Sequence, residues 1–148
     1  MTLRISSELL ARLQALAAAS PDAEVCGLLL GAGNEVADIL PTDNVAALPA
    51  THFEIDPAAL IGAHRAAREG GLQVIGCYHS HPNGRAEPSP DDAAQSAPDG
   101  QFWIIVAQGA ASCWKSLRNG ALHGRFDPVA LASPDGLRQR PGKRPKGP

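Results

Sequence analysis

The sequence predicts an α/β fold of the α+β kind, a mixed sheet with two substantial helices, and three observations carry that expectation. Short apolar runs of strand length recur along the chain. Two segments instead space their apolar residues as a helix does. Turns containing Gly or Pro separate most of these segments.

Thr2 to Ile5 reads as a short first strand. Ser6 or Ser7 can cap a helix in which Leu9, Leu10, Leu13, Leu16 and Ala17 recur at helical spacing, and Ser20-Pro21-Asp22 ends it. Val25 to Leu30 is a continuous apolar run closed by Gly31, the pattern of a buried strand. A turn at Gly31 to Asn34 leads to a return strand over Glu35 to Leu40. Pro41 to Pro49 reads as loop. Asp56-Pro57 opens a second helix that runs to Glu69 and stops at Gly70-Gly71. Leu72 to His79 is the next strand, and His81 to Pro90, with its prolines and Gly84, is an extended loop. Ser89-Pro90-Asp91-Asp92 is a capped helix start, with the helix ending near Pro98. Three strands are expected after it, at Phe102 to Ala107, Ser112 to Arg118 and Ala121 to Phe126. No internal repeat or linker divides the chain, so one domain is expected over residues 1–136.

The 148 residues suit a single domain with its own core, and 44% hydrophobic with 19% charged residues is a globular composition. No apolar run approaches the ~20 residues that span a bilayer, so a membrane protein is not expected. The start of the chain shows no secretory apolar region, which makes the cytoplasm the expected compartment. Cys26, Cys77 and Cys113 are three and widely spaced, which disfavours a disulfide scaffold or a CxxC zinc ribbon. Residues 137–148 hold five of the thirteen basic residues and no acid, leaving 8 − 15 = −7 for the rest. An acidic body is not the footprint of a nucleic-acid-binding domain, and the basic end reads as a disordered tail.

The chemistry is concentrated in Gly76-Cys77-Tyr78-His79-Ser80-His81-Pro82 and in Ser89 and Asp92 beyond it. His79 and His81 are two apart at a strand end, so both imidazoles can face one ion. Asp92 falls in the first turn of a helix, where an ionised carboxylate is favoured, and can complete a zinc site that keeps a position for water. Two neutral imidazoles and one carboxylate leave Zn2+ with net positive charge, enough to acidify a water and polarise a carbonyl. Ser89 reads either as a helix cap alone or as a cap whose hydroxyl also stabilises an oxyanion. Glu24, at the mouth of the Val25–Leu30 strand, is either a solvated loop residue or a general base whose pKa is raised by partial burial.

Together His79, His81, Ser89 and Asp92 form His-x-His, seven residues, Ser, two residues, Asp, a spacing that resembles the motif of the JAMM/MPN+ zinc metallopeptidases. Glu24-Val25-Cys26-Gly27-Leu28-Leu29-Leu30-Gly31 resembles that family's glutamate strand, and His52-Phe53-Glu54-Ile55-Asp56-Pro57 the approach to its second helix. The likeness extends over about residues 2–126. It implies a curved mixed sheet flanked by helices. It also implies zinc held by His79, His81 and Asp92, Glu24 as the proton carrier and Ser89 at the oxyanion. The substrates it implies are peptide or isopeptide bonds after the C-terminal glycines of a ubiquitin-like or sulfur-carrier β-grasp protein. The short chain is most similar to compact prokaryotic stand-alone members.

Other readings compete. Asp91 is the alternative register for the carboxylate, and Cys77 shares the parity of the histidines and can offer a thiolate. Cys26 or Cys77 paired with a histidine would make a nucleophilic enzyme. A non-catalytic MPN-type binding module and a DNA-associated relative are the alternatives in function. His52, His64 and His123 are expected as surface or hydrogen-bonded histidines, Trp103 and Trp114 in the core or a cleft wall, and Arg85 and Glu87 as solvated loop residues or, alternatively, substrate contacts. An extended glycine tail is expected to bind by strand addition to an exposed strand.

Overall fold

The computed structural model describes residues 1–134, so the expected basic tail at 137–148 lies outside the described residues. Seven strands and three helices follow in the order β1 (Thr2–Arg4), α1 (Ser7–Ala18), β2 (Cys26–Ala32), β3 (Glu35–Thr42), α2 (Pro57–Arg68), β4 (Gln73–Ser80), α3 (Pro90–Gln95), β5 (Phe102–Ala107), β6 (Ala110–Ser116) and β7 (Phe126–Ala132). The mixed sheet curves until it closes, in the order β1-β3-β2-β4-β5-β6-β7 with β1 parallel to β7. β4 and β5 are also parallel. A parallel pair cannot be joined by a tight hairpin. The connection between them therefore crosses over, and it carries α3 back past the end of β4.

The helix starts follow their side chains. Ser6 caps α1 by accepting from the Leu9 N–H, and Asp56 caps α2 by accepting from the Ala58 N–H with Pro57 in the first turn. Leu13 of α1 is fully buried in the main core with Leu3, Leu29, Ile39, Tyr78, Ile104 and Val106. A second, smaller cluster of Cys26, Phe53, Trp103 and Phe126 lies on the other face of the strands. Alternation along β4 places Tyr78 in the main core and Cys77 against the second cluster. Tyr78 fits only because residue 27 has no side chain. A Cβ on Gly27 would lie 2.4 Å from Tyr78 Cε2 and 2.5 Å from the Leu40 carbonyl oxygen.

Two expectations change. No strand forms over Ala121 to Phe126. Asn119, His123 and Gly124 have φ of 64°, 55° and 68°, a left-handed backbone that cannot extend, and the segment is a turn closed by a Leu122–Phe126 bridge. The last strand, β7, begins where that one was expected to end and runs through Pro128. β6 starts two residues early, because Gln108 (φ 48°) and Gly109 (φ 83°) make a two-residue hairpin turn. β4 pairs with β2 along its length and with β5 over residues 76–80, while the outer side of β3 is paired only at Glu35.

Candidate metal centre

The start of β2 and the end of β4 lie side by side, with Cys26 opposite His79. Beyond that pair, the Ser80 N–H donates to the Val25 carbonyl at 3.0 Å and the Ser80 hydroxyl accepts from the Val25 N–H at 2.9 Å. This lock places Glu24 next to His79 and His81, with one donor atom from each of the three residues within 4.8 Å of the others. Glu24 is only 6% exposed, and its Oε1 has no hydrogen-bond partner among the described residues. Burial pushes its carboxyl up to about 7, with His81 working against the rise and Asp92 adding to it.

The crossover supplies the rest. The hydroxyl of Ser89 caps α3, accepting from the Asp92 N–H at 3.0 Å, and the Ser89 N–H donates to Asp92 Oδ2 at 2.9 Å. That reciprocal pair turns Oδ2 towards the imidazoles. It stands 3.2 Å from His79 Nε2 and 3.1 Å from His81 Nε2, and the two Nε2 atoms are 2.9 Å apart. Burial opposes ionisation of Asp92, but hydrogen bonds with His79 and His81 and from the Ser89 N–H hold its carboxyl far below the usual range. Burial lowers the pKa of His79, which favours the neutral ring.

The triangle of Nε2, Nε2 and Oδ2 suits a metal ion. His81 Nδ1 lies 2.7 Å from the Arg85 carbonyl oxygen, an acceptor, so Nδ1 carries a hydrogen. Burial opposes a second proton on this ring, but hydrogen bonds with Asp92 and Arg85 raise its pKa, and a metal ion would take the place of the Nε2 proton, leaving that lone pair and the carboxylate oxygen to face the ion. Donor atoms on a tetrahedral ion with bonds of about 2.1 Å stand about 3.4 Å apart. The three edges found here are slightly shorter, so small outward movements admit the ion.

Aromatic rings set the far wall. Phe53 stacks on His79 with ring centres 4.2 Å apart and planes 16° from parallel, and Trp103 meets the same imidazole edge-on at 5.7 Å. A cavity of about 620 Å³ opens against this wall, lined by Leu48, Phe53, Ile55, Cys77 and Trp103 among others. Cys77 therefore belongs to the cavity lining. Asp91, the alternative carboxylate, is turned away from the triangle and meets His52 Nε2 at 3.4 Å. His52 is half-buried and its Nδ1 lies 2.8 Å from the Thr51 hydroxyl, the hydrogen-bonded form of the expectation, while His64 is exposed. Arg85 and Glu87 are exposed and 3.9 Å apart.

Several supporting residues were not singled out from the sequence for these contacts. His123, exposed and hydrogen-bonded as expected, donates from Nε2 to the Pro88 carbonyl at 3.0 Å, directly before Ser89. The Ser112 hydroxyl donates to the Ala86 carbonyl and itself accepts from Trp114 Nε1 at 2.8 Å. Phe53 stood in a segment already noted, where an aromatic two residues from a helix cap was a readable signal. The contacts of Ser112 and His123 span 26 and 35 residues and left no local signal.

Known proteins resemble this chain in sequence and in fold. The family described as prokaryotic homologs of the JAB domain matches residues 6–119. The chain is 36% identical over 93 residues to a desampylase of Haloferax volcanii, covering 62% of this chain and 67% of that protein. It is 42% identical over 71 residues to a probable TtuB-protein conjugate cleaving protease of Thermus thermophilus, covering 47% of this chain and 48% of that protein. The latter match thus spans about half of the relative's length. The fold is similar to that of a JAB1/MPN domain protein from Archaeoglobus fulgidus, with a TM-score of 0.56 at 20% identity over 88% of this chain and 99% of that one.

Proposed function

The chain belongs to the prokaryotic homologues of the JAB domain, and from that premise we propose that it is a zinc-dependent peptidase. Its substrate would be a peptide or isopeptide bond after the C-terminal glycines of a ubiquitin-like or sulfur-carrier protein. The observation that carries the proposal is the triangle of His79 Nε2, His81 Nε2 and Asp92 Oδ2 with an unpartnered, buried carboxyl beside it. The name of the Thermus thermophilus relative, a probable TtuB-protein conjugate cleaving protease, supports the substrate class.

In this reading His79, His81 and Asp92 hold the zinc. When bound, zinc supplies positive charge that acidifies water and polarises the scissile carbonyl. The Arg85 carbonyl fixes the tautomer and orientation of His81, and the Ser89 N–H does the same for the Asp92 carboxylate. Glu24 takes a proton from the attacking water as the new C–O bond forms, then delivers it to the leaving nitrogen as the C–N bond breaks. A carboxyl that burial raises to about 7 is matched to both transfers near neutral pH. The Ser89 oxygen already accepts from Asp92 N–H, so its own O–H remains to donate to the developing oxyanion. The apolar cavity beside Phe53 and Trp103 gives an extended tail a wall to lie against. Main-chain contacts to the tail would come from the irregular segments at 43–56 and 81–89, which border the site.

The test is intact-mass analysis of β-grasp proteins carrying extensions after Gly-Gly, incubated with the zinc-loaded chain. Cleavage after the second glycine is expected, abolished by chelator. Glu24→Gln is expected to lose about 10²–10⁴-fold in kcat, the range for a general acid–base, with zinc still bound. Full activity in Glu24→Gln would refute the assigned mechanism. Stoichiometric zinc with no cleavage of any such protein would favour the non-catalytic binding module.

A further inference from the structure

One side chain in the segment after β3 ties the Glu24 backbone to the aromatic wall of the site. Asn44 Nδ2 donates to the carbonyl oxygens of Glu24 and His52, each at 2.9 Å. Its Oδ1 accepts from the N–H of Ala46 at 3.0 Å and of Glu54 at 3.1 Å. A primary amide has two N–H donors and two acceptor sites, so these four bonds use its full capacity and fix which way it faces. Rotated by half a turn, it would set oxygen against two carbonyls and NH2 against two N–H groups.

The same segment holds the other end of the Glu24 peptide, whose N–H donates to the Pro49 carbonyl at 2.7 Å. Glu24 is thus fixed at both main-chain polar groups, while its carboxyl keeps an unpartnered oxygen. The His52 and Glu54 groups bound by Asn44 flank Phe53, the residue stacked on His79. One rigid amide therefore meets the backbone on both sides of the reactive cluster.

We propose that Asn44 is a positioning residue for the hydrolysis: by clamping Glu24 and the peptides around Phe53, it sets the distance of the Glu24 carboxyl from the His79, His81 and Asp92 donors. The inference rests on the reading of Glu24 as proton carrier. Asn44→Asp is the sharpest variant, because it keeps the shape and the two acceptor bonds but turns a carboxylate oxygen against two carbonyls. Asn44→Ala removes all four bonds.

Both variants are made in the full chain, alone and combined with Glu24→Gln, with melting curves and zinc content recorded for each. The expected result is a kcat about 100-fold lower, the loss caused by a ~1 Å misplacement, with KM and zinc content little changed. In the Glu24→Gln background the same substitutions leave the residual rate where it was, because they act through a group already disabled. A readout independent of turnover is the carboxyl 13C resonance of Glu24 in the metal-free protein, which is expected to move in both variants, together with faster amide exchange at Ala46 and Glu54 in Asn44→Ala. An undiminished kcat, an equal fractional loss with and without Glu24, or a stationary Glu24 resonance would each overturn the proposal. So would unfolding of both variants, which would make Asn44 a requirement of the fold. If the unmodified chain cleaves nothing, the functional reading fails by itself and the resonance decides the placement of Glu24.

Discussion

The two halves of the candidate site are supported differently. Glu24 and His79 sit on or beside the β2–β4 ladder, where backbone bonds repeat from Cys26–His79 to Gly31–Gln73. Ser89 and Asp92 sit at the start of a six-residue helix inside the crossover from β4 to β5. A helix so short has almost no stability of its own. Its position rests on its capping box, on Ala93 packed against the second cluster, and on single side-chain bonds from Ser112, Ser116 and His123 to the segments on either side of it. The ladder half is therefore held by repeated backbone bonds, with Asn44 as an added side-chain clamp on the Glu24 peptide, whereas the crossover half depends chiefly on individual side-chain contacts.

Asp92→Ala should give the largest effect. It removes a proposed ligand and half of the capping box together. Zinc affinity is expected to fall by well over the ~100-fold that an outer-shell partner is worth, and cleavage should drop to background. Titration with a competing zinc chelator checks it, and retention of tight zinc binding would show that the crossover half is not part of the metal centre. Ser89→Ala comes next. The Asp92 N–H loses its cap, worth about 1 kcal/mol, and the proposed oxyanion donor disappears. A kcat loss of about 10²-fold is expected if the hydroxyl donates in the transition state. A loss confined to the melting temperature would reduce Ser89 to a cap.

Gly27→Ala probes the ladder half. The added Cβ must displace Tyr78 and the neighbouring strand, and overpacking of this kind costs about 1–3 kcal/mol. In a chain of this size the melting temperature should fall by about 2–4 °C per kcal/mol. Residual activity at low temperature should follow the fraction folded, measured by circular dichroism on the same samples. Activity lost without any change in melting would mean that the ladder does more than carry the fold.

The same division explains what was legible in the sequence. The near approach of His79 and His81 follows from strand parity, and the Ser89–Asp92 pair is a local cap, so both could be read within a few residues. Glu24 could be placed because a continuous apolar strand follows it. The closure of the sheet could not be read, since it depends on Thr2 meeting Ala130 and on β7, whose Pro128 reads as a breaker. The turn within Ala121 to Phe126 was not legible because His123, one of its left-handed positions, is not glycine, although Gly124 beside it is a turn signal. Asn44 looked like any polar residue of a loop, although its four partners lie between two and twenty residues away.

His123→Ala gives the smallest expected effect and tests the comparison most finely. His123 lies outside the metal triangle, and its backbone already holds a left-handed conformation. Its one assigned bond, to the Pro88 carbonyl, leads straight into the Ser89 cap. Pro88 is buried, so its carbonyl group is restrained by packing as well as by that bond. If the crossover depends on single side-chain bonds, deleting this one should weaken zinc binding by up to about 10-fold, the lower bound for an outer partner, with melting nearly unchanged. The same substitution should leave the hydrogen exchange of the β2–β4 amides untouched, because no bond of the ladder involves residues 81–101. Exchange that quickened equally in β4 and in α3 would show the two halves to be one cooperative unit.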